Sequence, residues 1–171
     1  MYSKIVVPLD GSELSENALK HAQTIIGQNP KAILILLRAI EPFFPDAYYL
    51  GEVIQYSVDA EKKAERNARQ YLSKVASRLR KEGISHVRTV ILQGRPDIEI
   101  MNYLAKRKVD LVVMTTHGRS GISHWLMGSV AERVMRHSPV PVLVVPPPGS
   151  SGGTKKVIRS SEHRPSKQAM E

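Results

Sequence analysis

No cysteine occurs among the 171 residues. A chain without thiols can form no disulfide framework, no thiolate zinc or iron–sulfur centre, and no cysteine nucleophile. Trp and Phe are scarce as well, with one and two, which gives little support for a row of base-stacking platforms. No uncharged apolar run comes near the ~20 residues that a membrane-spanning helix requires. The first apolar run, Ile5 to Leu9, contains Pro8 and is followed by Asp10, so it is too short and interrupted for a secretory signal core. A soluble, cytoplasmic protein is expected. Familiar signatures are missing too. There is no G-x-x-x-x-G-K-[ST] phosphate loop, no G-x-G-x-x-G after the first strand, no H-E-x-x-H, and no G-x-S-x-G elbow joining a strand to a helix. These absences argue against a P-loop nucleotidase, a standard dinucleotide dehydrogenase, a zinc hydrolase and an α/β serine hydrolase.

Positive charge, by contrast, is in excess: 25 Lys+Arg against 16 Asp+Glu give a formal net charge of +9. Residues 150–171 hold five basic and two acidic residues, so they supply +3 and residues 1–149 supply +6. That last segment has too few apolar residues to offset its ordering entropy. We therefore expect one domain over residues 1–148 and a disordered basic tail over 149–171. No nucleic-acid-reading motif accompanies the charge, so a nucleic-acid partner is not expected.

Ahead of the tail, short β-branched runs alternate with longer helical periodicities, the mark of βαβ units and a parallel sheet. Strands are expected at Lys4–Leu9, Ala32–Ala39, His86–Leu92, Val109–Met114 and Val140–Val145. The second and fourth are nearly continuous apolar runs, as strands covered on both faces should be. Four helices fall between them. The first runs from Glu13 to Ile26, with Ser12 ahead of it and Gly27 behind. The second carries apolar residues from Val53 to Leu79 at intervals of three or four and stops before Gly83. Its remaining faces are charged and read as solvated surface. The third opens at Pro96, a favoured first-turn position, and ends near Lys106. The fourth follows Ser129, which with Glu132 has capping-box spacing. The connection from Glu41 to Gly51 is long and aromatic, and reads as a packed surface loop or a lid.

In an open parallel sheet, ligands bind beyond the carboxyl ends of the strands, where the winding reverses. The most unusual loop there starts at Thr115 and reads T-T-H-G-R-S-G-I-S-H-W-L-M-G. Its glycines 118, 121 and 128 let backbone N–H groups approach a ligand, and a glycine turn feeding a helix N-terminus suits phosphate. Ser129 reads either as a phosphate contact or as a helix cap. Asp10 reads either as an acceptor for ribose hydroxyls or as part of a turn into the first helix. His117 is a phosphate-contact candidate or a plain loop residue, and Trp125 reads as core. No base is poised against a nucleophile anywhere in the chain.

Taken in order, these residues resemble the universal stress protein family. The likeness spans about residues 1–146, from K-I-V-V-P-L-D-G-S to H-G-R-S-G-I-S-H-W-L-M-G-S-V-A-E-R-V-M-R-H-S-P-V-P-V-L-V-V-P. The family's ATP-binding members carry G-x2-G-x9-G-[ST]. Gly118, Gly128 and Ser129 reproduce its second half, and Thr115 stands where the first glycine would. A threonine is strained there if the position needs positive φ, and crowds the ligand if the position needs only room. The resemblance implies that Pro8 and Asp10 meet adenine and ribose, and that Ala39 lies beside the base. It assigns Met114, Thr115, Gly118, Gly128, Ser129 and Val130 to the rest of the site, which His117 joins as the loop's phosphate-contact candidate. The implied cofactor is ATP, with Mg²⁺ as its companion. The implied fold is an open five-stranded parallel sheet in the order 3-2-1-4-5 with helices on both faces, Rossmann-like and of the adenine nucleotide alpha hydrolase-like kind. A homodimer through Val140–Val145 is implied as well, and the prolines around that strand argue for a sheet edge. The expected function is a stress-response module that holds ATP with slow or no hydrolysis and has no catalytic residue. Two alternatives are a member that binds no nucleotide and acts through protein partners, and an ATP-cleaving enzyme on the same fold.

Overall fold

In the structure, a computed structural model that describes residues 1–41, 52–116, 128–146 and 157–158, ten elements follow one another. They are β1 (Lys4–Pro8), α1 (Glu13–Ile26), β2 (Ile33–Ile40), α2 (Glu52–Lys81), β3 (Val87–Gln93), α3 (Pro96–Lys106), β4 (Leu111–Thr115), α4 (Ser129–His137), β5 (Val142–Val145) and β6 (Val157–Ile158). The sheet order is β3-β2-β1-β4-β5-β6. The first five strands are parallel and follow the expected order 3-2-1-4-5, with the chain winding out to β3 and returning to the other side of β1. The reversal falls between β1 and β4.

Alternation along the strands builds two separate cores. Ile5, Val7, Leu34, Leu36, Leu111 and Val113 face one way, against Leu19 and Ala22 of α1 and Leu72, Val75 and Leu79 of α2. Val6, Ile35, Leu37, Val112 and Met114 face the other way, against Ile100 and Leu104 of α3 and Ala131 and Val134 of α4. Full burial of each such side chain contributes about 1.5–3 kcal/mol before entropy is counted. That double cover explains why β2 and β4 are apolar on both faces.

Local chemistry sets the boundaries. Ser12 caps α1, its Oγ accepting from the Ser15 N–H at 3.1 Å. Pro96 begins α3 as expected. Gly83, at φ 96°, stops α2 in a conformation only glycine adopts cheaply. Two expectations are corrected. Gly128, not Ser129, is the N-cap of α4, and Ser129 is the first helical residue. The Glu132 carboxylate turns along the helix to Arg136 at 3.0 Å instead of back to a cap. Further, β5 is the outermost parallel strand but not the sheet's edge, because β6 pairs antiparallel to it, with Ile158 opposite Val142 and Val157 opposite Leu143. The Pro42–Gly51 part of the long connection, Trp125, and the rest of residues 149–171 lie outside the described residues.

Candidate functional site

The reversal between β1 and β4 opens a crevice of about 340 Å³ at the carboxyl ends of the strands. Its floor comes from the strands. Pro8, Leu9 and Asp10 arrive from β1, Leu37 and Ala39 from β2, and Met114, Thr115 and Thr116 from β4. Its outer wall is Pro96 and Ile100 of α3, and the mouth toward α4 is bounded by Gly128, Ser129, Val130 and Ala131. Eight of the ten residues singled out in the sequence therefore line one cavity: Pro8, Asp10, Ala39, Met114, Thr115, Gly128, Ser129 and Val130. His117 and Gly118 fall outside the described residues.

Leu37 and Ile100 are wall residues that the motif reading passed over. A period-two argument could have found Leu37, because it shares a strand face with Ala39. Ile100 could have been found from Pro96, one turn before it on the same helix. Ser15, also on the wall, is nearly buried, and its Oγ donates to the Ser12 carbonyl at 2.8 Å.

Asp10 is held by the turn into α1. Its Oδ1 accepts from the Ser12 N–H at 2.9 Å and from the Ser12 hydroxyl at 2.6 Å. Both readings of this residue thus share one geometry, in which a turn capped by a carboxylate presents that carboxylate on the crevice wall. Gly11 follows at φ 87°, and the space where a Cβ would stand is taken by the Arg38 guanidinium, with Nη1 2.8 Å away. Arg38 lies over the Tyr71 ring, 5.3 Å from its centroid, a cation–π approach. The Tyr71 hydroxyl donates to Glu16 Oε1 at 2.9 Å, and Arg78 Nη2 donates to Glu16 Oε2 at 2.6 Å. Burial, then the hydrogen bond to the Glu16 carboxylate, pushes the Tyr71 phenol up from its ordinary value of 10.0. The network ties α1, β2 and α2 together behind the Asp10 turn.

A second ion cluster lies at the start of α3. Asp97, in the first turn of α3, is almost fully buried. Its Oδ2 accepts from Arg95 at 3.0 Å and from Arg133 of α4 at 3.2 Å. One carboxylate with two guanidinium groups clips α3 to α4. A neighbouring hollow of about 470 Å³ shares Asp10, Ala39 and Pro96 with the crevice and adds Arg38, Glu41 and Asn67.

This arrangement suits a ligand with a flat apolar group at one end and an anionic group at the other. The slot is lined mainly by apolar side chains, and the N-terminus of α4 brings the N–H groups of its first turn and the positive end of its dipole to the crevice mouth. Among the described residues no group of three His, Asp or Glu is placed to hold a metal ion. No helix among them is long and apolar enough to cross a membrane.

Comparisons with known proteins agree with the fold. The universal stress protein family model matches residues 1–146. Universal stress protein MJ0531 of Methanocaldococcus jannaschii is 36% identical over 150 residues, covering 86% of this chain and 84% of that protein. The solved structure of MJ0577 from the same organism superposes with a TM-score of 0.72 at 31% identity, over 85% of this chain and 96% of that one. A universal stress protein solved in complex with cAMP superposes with a TM-score of 0.59 at 27% identity, over 84% of this chain and 96% of that one.

Proposed function

This chain belongs to the universal stress protein family, and from that premise we propose that it is a cytoplasmic stress-response module that binds an adenine nucleotide, ATP foremost, in the crevice between β1 and β4. The observation that carries the reading is the crevice's division into an apolar slot and a polar rim. Leu37, Ala39, Ile100 and Met114 make a slot for a purine. Asp10 stands where ribose hydroxyls can donate to it, and Gly128 and Ser129 open α4 toward the phosphates. The related protein solved with cAMP supports the ligand class. Mg²⁺ would enter on the nucleotide's own phosphates, keeping several of its waters. No pair of groups on the described wall makes a general base and nucleophile, so the bound nucleotide acts as a signal, with slow or no hydrolysis. Two copies associate through β5.

A second reading, in which the chain binds no nucleotide and acts through a protein partner, is favoured by one observation. Thr115, in place of a motif glycine, is buried on the crevice wall. Thermal melting with ATP, ADP, AMP and cAMP separates the two. A ligand at about 100 times its dissociation constant stabilises by roughly 2.7 kcal/mol, which for a chain of this size raises the melting temperature by about 5–10 °C. A flat response to all four ligands would sink the nucleotide reading. Rapid phosphate release in the same samples would instead make the protein an ATP-cleaving enzyme.

A further inference from the structure

We propose that the Val157–Ile158 segment is a built-in competitor for the outer edge of β5, so that a second copy gains this edge only when the segment leaves it. The proposal rests on the reading of β5 as the self-association strand. On its inner side β5 pairs with β4 from Val142 to Val145. Its two faces are also engaged: Val142 and Val145 are 4% exposed, and Leu143 and Val144 pack against opposite cores. Beside the half-buried side chains of Leu143 and Val144, β5 offers an added strand one row of backbone N–H and C=O groups. Such a row holds one added strand at a time.

In this structure that strand is β6, antiparallel, with Ile158 opposite Val142 and Val157 opposite Leu143. A strand from a second copy would need the same row. The resident strand is suited to giving way. It is two residues long, so it makes few ladder hydrogen bonds, each with a modest net contribution. Closing the connection from Pro146 back to Val157 also costs chain entropy. Its sequence neighbours Lys155, Lys156 and Arg159 are all cationic, as residues flanking a protected edge strand often are. The segment therefore covers the edge without sealing it.

The test uses the full-length chain, wild type against the double variant Val157→Pro, Ile158→Pro, which removes the backbone donors of β6 and leaves residues 1–146 untouched. Sedimentation equilibrium over a wide concentration range gives the dimer dissociation constant of each. The expected result is a variant dimer at least about tenfold tighter, equivalent to roughly 1.4 kcal/mol. Equal constants, or a weaker variant dimer, would overturn the competition and leave self-association standing. If both chains stay monomeric at every concentration, the self-association reading fails and takes this proposal with it.

Discussion

Thr115 is the residue at which sequence and function pull hardest against each other. It closes β4 opposite Val145, and strand backbone is extended conformation that any residue adopts. The threonine therefore costs nothing in φ, and crowding is the surviving objection. Thr115→Gly removes the side chain from the crevice wall. We expect affinity for ATP to rise about tenfold in calorimetric titration, with a stability loss of about 0.5–1 kcal/mol for a glycine inside a strand. A drop in affinity would mean that the hydroxyl serves the ligand. Asp10 was legible because acids after a first strand either cap turns or meet sugars, and here the Ser12 contacts hold the carboxylate on the wall. Arg38 was not legible. Its place against Gly11 and Tyr71 joins three elements far apart in sequence, and no local pattern encodes that.

Elements were easiest to read where a single residue terminates them. Ser12 does so with its side-chain oxygen and Gly83 and Pro96 with their backbone, and the structure places α1, the end of α2 and α3 as those residues demand. Strand starts were harder. Val109 and Asp110 read as strand, yet β4 begins at Leu111 because Asp110 Oδ2 accepts from the Ser3 and Lys4 N–H groups at 2.9 and 2.8 Å. Val140 reads as strand too, but its N–H donates to Ser138 Oγ at 3.2 Å and Pro141 has no N–H to give. The junction of α1 with α2 carries its own test. The Tyr71 phenol is pushed up in the folded state, so its protonated form is the one folding favours. Its contribution is complete below the unfolded value of 10.0 and is lost as pH rises above it. Tyr71→Phe should cost about 1 kcal/mol at neutral pH, and urea unfolding should show the gap to wild type closing above about pH 10. A gap that is constant through the alkaline range would remove the phenol from the account.

For the molecule as a whole, one sheet is shared by two cores, and its strand order places the site. Counting apolar runs yields five strands and no order among them. The order came from the family likeness, and the register of β1 with both β2 and β4 bears it out. Because every central strand contributes to both faces, the cores should melt together. Leu72→Ala and Leu104→Ala remove buried side chains from opposite sides, each at about 2–5 kcal/mol. Each should shift one cooperative transition in circular dichroism; two separate transitions would show that the halves fold apart. The central position of β1 has a consequence during synthesis as well. Val6 leaves the ribosome early, while its sheet neighbour Val112 follows at about 5–20 residues per second, roughly 5–20 s later. Until then the nascent chain carries this strand, whose Ile5, Val6 and Val7 are fully buried in the finished fold, with one side bare, an interval in which chaperone capture and growth of the polypeptide compete.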